Sequence, residues 1–434
     1  MNTYRFKIEN YHSISKADIA INGITVLAGV NGSGKSTLAR WLFYIVKGAN
    51  EYEKNCLNEI KQNILELLMR YEKIQKHISF DSNFLSSFSK AKQLISNANY
   101  SYSDILEIFT SITNETREAL RKYFDTTNNN EKRRILSYLQ ISIKDDETDD
   151  ELLSKLVTTH LQQAEENLNL YESLKKERPT AIFFKNIQRF FNEYEKPQNI
   201  IFQEDGVDII DNKRIGTLFG LKSAFYIDTP MAVNVTKSDN PFWNEFRKLL
   251  NNKNEVLDND DIQQLLDNLR NITGGAVIDK EDFLGEKELY FTRKSDNLTV
   301  KLEQMATGVK SFAYLDRLLG NGYLNKDSIL ILDEPEAHLH PQWIVEYARL
   351  LVQIHKETGL YIMLASHDPD MVSAIRYISE KEGVLGDTTF YLAEQDDNAE
   401  TFSYKELGTD IEPIFASFNK SFDLIEKYGV DNGI

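Results

Sequence analysis

The residues with the clearest chemistry are Gly29-Val30-Asn31-Gly32-Ser33-Gly34-Lys35-Ser36, followed by Thr37. They fit the phosphate-loop pattern G-x-x-x-x-G-K-[ST] at every fixed position. In such a loop the glycines let the backbone curl close to an anion with no Cβ in the way. Successive N–H groups and the start of a helix then converge on phosphate oxygens. Asn31, Gly32, Ser33, Gly34, Lys35, Ser36 and Thr37 are therefore the expected cradle for a triphosphate. Lys35 would reach the β- and γ-phosphates, and the Ser36 hydroxyl would sit on Mg²⁺.

Two further stretches supply the groups that a phosphate loop lacks. Ser328-Ile329-Leu330-Ile331-Leu332-Asp333-Glu334-Pro335 is an apolar run ending in two acids. A buried parallel strand has this composition, and open α/β sheets bind their ligands at such strand ends. Asp333 would hold Mg²⁺ through a water, completing the shell begun by Ser36. Glu334 would face the γ-phosphate and polarise the attacking water. A second apolar run, Leu360 to Ala365, ends in Ser366-His367-Asp368-Pro369, where His367 could donate a hydrogen bond to the γ-phosphate. Between them, His338 and His340 beside Glu336 suggest a metal site, but no third ligand stands at a recognisable spacing.

In this order the three pieces resemble the ABC-type ATPases, in the branch of SMC proteins, recombination-repair ATPases and OLD-like ATPases. Gly29–Ser36 looks like that family's Walker A, Ile329–Glu334 like its Walker B with catalytic Glu, and Ser366-His367 like its switch-histidine loop. Phe6-Lys7-Ile8-Glu9-Asn10-Tyr11-His12-Ser13-Ile14 resembles the branch's "I-x-N-F-x-S-I" entry. Asp333-Glu334-Pro335-Glu336-Ala337-His338-Leu339-His340-Pro341 resembles stand-alone OLD-like bacterial ATPases, including PtuA-type and AriA-type subunits of antiphage systems. The resemblance is specific over about residues 1–48 and 300–370.

It implies ATP and Mg²⁺ as cofactors, with Glu334, His367 and Lys35 in catalysis and Ser36 and Asp333 at the metal. It also implies a homodimer closed around ATP, in which each copy offers a signature loop to its partner's nucleotide. Met305-Ala306-Thr307-Gly308-Val309-Lys310-Ser311 is the candidate loop, with Thr307 and Gly308 at the nucleotide. Ala306 stands where a phosphate-binding serine is usual, with Thr307 or Lys310 as substitutes, and His340 replaces the usual D-loop aspartate. For the Q-loop the only candidates are weak, Gln203 and Asp228.

The elements that must position these residues follow from periodicity. Tyr4–Glu9 and Ala17–Ile21 alternate as strands around a turn at Tyr11-His12-Ser13, and Ile24–Ala28 is a short buried strand entering the phosphate loop. From Ser36 to Val46 a helix follows. Between about Gly48 and Gln198 apolar residues recur at helical spacing, as in Leu57, Ile60, Ile64, Leu67, Leu68 and Tyr71, and in Leu152, Leu156, His160 and Leu161. Five to seven helices are expected there, with breaks near 81–83, 126–130 and 145–150, the last an acidic run expected as a solvated loop. Tyr100, Tyr102, Phe183, Phe184, Phe190 and Phe191 are expected in cores. Strands are expected at 199–203, 207–210, 224–227, 288–293 and 298–302, with helices near 241–251 and 259–271. Helix and strand then alternate over 307–319, 328–332, 341–357 and 360–365, the mark of a parallel sheet.

The expected architecture is an α/β P-loop head of ABC type with a mixed N-terminal sheet, a parallel core sheet and a large helical insertion. Its parts are residues 1–48 with Walker A, the insertion 49–198, the central head 199–304, and 305–434 with signature, Walker B and switch His. About 67 residues follow His367, enough for one strand, a loop and a helix near 411–427. That is too short for a Toprim nuclease domain, so a separate effector protein, a nuclease or toxin, is the expected partner.

Composition bounds the setting. The net charge of −17 argues against a broad nucleic-acid footprint, while a local basic groove stays open. The single cysteine, Cys56, excludes an intramolecular disulfide framework and suits the cytoplasm. No signal-peptide order opens the chain, and no apolar run approaches the ~20 residues that cross a bilayer. The leading expectation is an ATP-hydrolysing switch controlling an effector in antiphage defence. A DNA-repair ATPase that clamps nucleic acid and a nucleotide-locked scaffold are the alternatives.

Overall fold

The computed structural model describes residues 2–78, 82–96, 101–144, 146–191, 193–211, 213–228, 241–252, 260–281, 287–397 and 399–418. The chain forms two compact units, Met1–Asn50 with Thr180–Ile434, and Glu51–Pro179.

The first unit is built on a ten-stranded sheet. Its strands are β1 (Tyr4–Tyr11), β2 (Ile14–Ile21), β3 (Ile24–Ala28), β4 (Asn199–Glu204), β5 (Val207–Ile210), β6 (Ser223–Ile227), β10 (Ser328–Asp333), β11 (Tyr361–Ser366), β12 (Thr388–Gln395) and β13 (Phe402–Gly408). They lie in the order β5-β4-β1-β2-β13-β12-β3-β11-β10-β6. The four neighbouring pairs from β12 to β6 are all parallel. By contrast β5, β4, β1 and β2 pair antiparallel. The expected mixed N-terminal sheet and parallel core are thus one continuous sheet, joined where β13 runs parallel to β2 and antiparallel to β12.

Every residue of β3, β10 and β11 is buried. Such strands need cover on both faces, which explains their near-continuous apolar sequence. On one face lies α1 (Lys35–Asn50), in contact with β6, β10 and β11. On the other, Ile24, Val26, Leu330, Leu332, Ile362 and Leu364 share one core with α9 (Asp260–Thr273), α10 (Thr307–Gly320), α11 (Pro341–Thr358) and α12 (Pro369–Glu382). Side chains two apart along a strand fall on the same face, so these alternate residues turn one way and Thr25, Leu27, Ile329 and Ile331 the other. Pro341 opens α11 at its first turn and Gly359 ends it at φ +68°, the helix start and stop that the sequence spells out.

Smaller elements complete this unit: α7 (Thr180–Phe191), α8 (Pro241–Asn251), α13 (Glu412–Phe418) and an antiparallel sheet of β7 (Gly275–Glu281), β8 (Lys287–Arg293) and β9 (Thr299–Lys301). Strand β7 is not among the expected strands: its seven residues hold few apolar ones and end in Asp279-Lys280-Glu281. Beyond His367 the chain also exceeds expectation, carrying α12, β12 and β13 before α13. Residues 419–427 of the expected last helix lie outside the described residues.

The second unit contains α2 (Tyr52–Ile78), α3 (Ser82–Ser96), α4 (Tyr102–Phe124), α5 (Asn129–Tyr138) and α6 (Asp149–Glu177). Ile60, Ile64, Leu68 and Tyr71 of α2 meet Leu152, Leu153 and Leu156 of α6 in its core. The acidic run departs from expectation, because Asp149 and Asp150 belong to the first turn of α6. Thr148 and Glu151 form a reciprocal capping box there, and carboxylates beside a helix N-terminus are favoured. Tyr102 and Phe183 are core residues as expected, while Tyr100 lies outside the described residues.

The junction of β2 and the phosphate loop yields a stability prediction. Gly34 has φ +94°, and a Cβ there would lie 2.5 Å from Cγ1 of the buried Ile14. Gly34→Ala should cost about 2 kcal/mol or more in urea unfolding. Gly386→Ala, where a Cβ meets nothing within 4 Å, should leave the midpoint where it was.

Candidate nucleotide-binding site

The phosphate loop connects β3 to α1 and is shaped before any ligand arrives. Gly32 and Gly34 take φ +81° and +94°, which side-chain-bearing residues rarely adopt. The first intrahelical bond of α1 runs from the Leu38 amide to Gly34 O, at 3.0 Å. The amides of Lys35, Ser36 and Thr37 therefore precede the helix ladder and are open to an anion. The buried Lys35 ammonium donates to Gly29 O and Val30 O, each at 2.9 Å, which folds the side chain back over the loop. Burial lowers its pKa, and the nearby carboxylates of Glu334, Asp333 and Glu336 oppose that shift. From the other side Tyr404 of β13 donates its hydroxyl to Ser33 O at 3.2 Å. Asn31 and Gly32 form the exposed rim.

Asp333 ends β10 directly beside this loop. The Ser36 hydroxyl donates to Asp333 Oδ1 at 2.9 Å, bridging 297 positions of sequence. Tyr226 on the neighbouring β6 donates to Asp333 Oδ2 at 3.0 Å. Burial pushes the Asp333 carboxyl upward, the charge of Asp228 adds to that, and the two hydroxyls counter it. Burial also raises the Tyr226 phenol, so it stays a neutral donor. Asp228, one of the two Q-loop candidates, thus lies near the site. Gln203 does not: it hydrogen-bonds Asp208 at the far antiparallel edge of the sheet.

One residue on, Glu334 takes φ +50°, an uncommon backbone conformation for a residue with a Cβ. Its amide still extends the ladder, donating to Ala365 O at 2.9 Å, while its side chain remains about one-third exposed. His367 faces it from just past the end of the adjacent β11, Nδ1 lying 3.4 Å from Glu334 Oε1. Asp368 fixes His367 from the C-terminal side by capping α12, its Oδ1 accepting from the Met371 amide at 2.9 Å. Glu336 fixes the same turn from below: its Oε1 accepts from Ser366 Oγ at 2.7 Å and from the His367 amide at 3.0 Å. Burial raises the Glu336 carboxyl, and those two donors oppose the rise.

The structure therefore gathers Lys35, Ser36, Asp333, Glu334 and His367 at the carboxyl ends of the parallel strands β3, β10 and β11. Thr307 and Gly308 stand apart: among the described residues, no hydrogen bond or ion pair links them to the phosphate loop. Ala306 is the N-cap of α10 and provides no side-chain cap. Lys310 is buried, so it is not displayed as the expected stand-in for a signature serine. His338 is exposed and His340 caps α11 through Nδ1, accepting from the Gln342 amide. No group of three or more metal-ligating His, Cys, Asp or Glu occurs among the described residues. Sequence reasoning passed over Tyr226 and Tyr404, and took Glu336 only as the acid beside His338 and His340. Tyr226 leaves a trace, a hydroxyl one residue before the end of an apolar strand, whereas Tyr404 and the contacts of Glu336 follow from tertiary placement alone.

A glycine-lined loop between β3 and α1, facing an acid-tipped parallel strand, defines a P-loop ATPase of ABC type. Residues 1–372 match the AAA ATPase domain family, and the chain belongs to that family. It is 40% identical over 72 residues to the energy-coupling factor transporter ATP-binding protein EcfA2 of Clostridium perfringens, spanning 16% of this chain and 25% of that protein. The EcfA2 of Bacillus anthracis is 31% identical over 106 residues, spanning 24% and 33%. The chain thus matches a third or less of the length of these relatives. The SMC head domain from Thermotoga maritima aligns over 94% of this chain and 99% of its own at 10% identity, with TM-score 0.34. Among the described residues no helix is long and apolar enough to cross a membrane.

The backbone of Glu334 can be tested apart from its chemistry. Glu334→Gly removes a left-handed penalty of about 1–2 kcal/mol, offset in part by glycine's chain entropy. Its unfolding free energy should stay within about 1 kcal/mol of the parent or rise above it. Leu332→Ala, two residues earlier in β10, should lose about 2–5 kcal/mol. An equal loss in both would show that the Glu334 side chain, rather than its backbone, sets stability there.

Proposed function

We propose that the protein binds ATP with Mg²⁺, hydrolyses it, and uses the change as a switch in a homodimer. The observation that carries this reading is the 2.9 Å contact of Ser36 with Asp333, which sets a phosphate loop and an acid-tipped strand around one space. The oxygens of Ser36 and Asp333 suit Mg²⁺, which takes a few hard oxygen ligands beside water and phosphate. When bound, the ion neutralises charge on the β- and γ-phosphates. The open amides of Lys35, Ser36 and Thr37, with the Lys35 ammonium, hold the phosphate oxygens in place. Glu334, carboxylate outward at the strand end, accepts a proton from the attacking water. His367 beside it donates to the γ-phosphate before hydrolysis.

Thr307 and Gly308 take the role of signature residues, presented to the nucleotide of a second copy. Contacts that exist only with a γ-phosphate tie dimer geometry to the state of the nucleotide. The output is control of a separate effector, a nuclease or toxin, in antiphage defence within the cytoplasm. Motif resemblance alone supports this last step.

Lys35→Ala should abolish ATP binding in equilibrium dialysis. Glu334→Gln should keep binding, slow phosphate release on the order of 100-fold or more, and accumulate an ATP-dependent dimer by light scattering. Hydrolysis at the parental rate would remove Glu334 as the base. Ala306→Ser supplies the missing cap of α10, worth about 1 kcal/mol, and should tighten ATP-dependent association. Unchanged association would reject the signature assignment.

A further inference from the structure

The loop after β10 carries a second carboxylate that the reaction scheme does not use. Glu336 is only 6% exposed, although it lies two residues beyond the half-open Glu334. A buried carboxylate is costly unless its oxygens are paired. Oε1 is paired twice, by the Ser366 hydroxyl and the His367 amide, whereas Oε2 has no hydrogen-bond partner among the described residues. The same Oε1 lies 3.5 Å from His367 Nδ1, nearly the distance at which Glu334 approaches that nitrogen. Both donors belong to the end of β11, and the acceptor belongs to the turn leaving β10. Ladder pairing of the two strands reaches Asp333 and Ala365, and one further bond joins Glu334 N to Ala365 O. Beyond that point Glu336 ties the segment bearing Glu334 to the segment bearing His367, alongside the direct approach of those two side chains.

From this geometry we propose that Glu336 is a positioning residue, setting Glu334 and His367 in register so that base and phosphate donor act as one unit. The proposal rests on the roles given to Glu334 and His367 above. A shift of about 1 Å in a reacting group can cost on the order of 100-fold in rate, so losing the tie should appear in turnover. It should not appear in affinity, because Glu336 is not part of the phosphate cradle.

The test measures steady-state ATP hydrolysis and binding stoichiometry of a fluorescent ATP analogue on the full chain. Glu336→Ala should lower kcat by roughly 30- to 100-fold, with KM and bound nucleotide per chain within about threefold of the parent. Glu336→Gln retains an oxygen for both donors and should recover kcat to within about threefold. Ser366→Ala removes one donor and should cost about tenfold. A residue needed only for folding would lower binding stoichiometry and kcat together, with no rescue by Gln. Parental kcat in Glu336→Ala, or Gln as slow as Ala at full stoichiometry, overturns the proposal. If Glu336→Ala fails to fold, the other two variants decide: Gln near the parental rate with Ser366→Ala slowed supports it, and any other pairing overturns it. Glu334→Gln in parallel separates the two levels. A parental rate there removes the reading of the site itself, whereas a slow rate with fully active Glu336→Ala removes only the tie.

Discussion

A single hydroxyl-to-carboxylate contact, Ser36 to Asp333, is the point on which the nucleotide-site geometry turns. It joins the first turn of α1 to the tip of β10, two segments that parallel pairing through β3 and β11 has already brought alongside one another. Because β3, β11 and β10 are fully buried, the sheet permits little sliding, and the register that buries Leu330 and Leu332 also sets where Asp333 emerges. Chemistry and hydrophobic packing are therefore fixed by the same alignment.

Around that contact, polar groups are arranged as a graded series. Asp333 is buried and held by two hydroxyls, Glu334 is half open, and Glu336 is buried again under β11. Three acids within four residues thus meet three environments, which is how neighbouring carboxylates come to do different work. The left-handed backbone at Glu334 is the device that turns the chain between them. Without it, alternate residues would keep to the faces dictated by the strand.

Much of this was legible in the chain. The glycine spacing of the phosphate loop, the apolar run closed by Asp333 and Glu334, and the Pro341 and Gly359 boundaries of α11 all express local rules, and the elements lie where those rules put them. What escaped depends on contacts distant in sequence. Strand β7 lacks the apolar density that marks a strand by itself and gains its place from β8. Asp149 and Asp150 look like a solvated run until Thr148 is recognised as a cap. Lys310 has the charge of a phosphate ligand, yet its place in α10 buries it. In sequence Glu336 reads only as the acid beside His338 and His340; the approach of β11 reveals what it holds.

The strand order carries a consequence for synthesis. β12 and β13, made from residues 388 to 408, insert between β2 and β3, which are made from residues 14 to 28. Until the ribosome has released that late hairpin, the early strands have edges with no permanent neighbour, and exposed edges invite pairing with other chains. Pairings this far apart in sequence close slowly. Messages truncated before β12 should thus give aggregating products rather than a smaller working head, and nascent chains should lean on chaperones until β12 and β13 have been made.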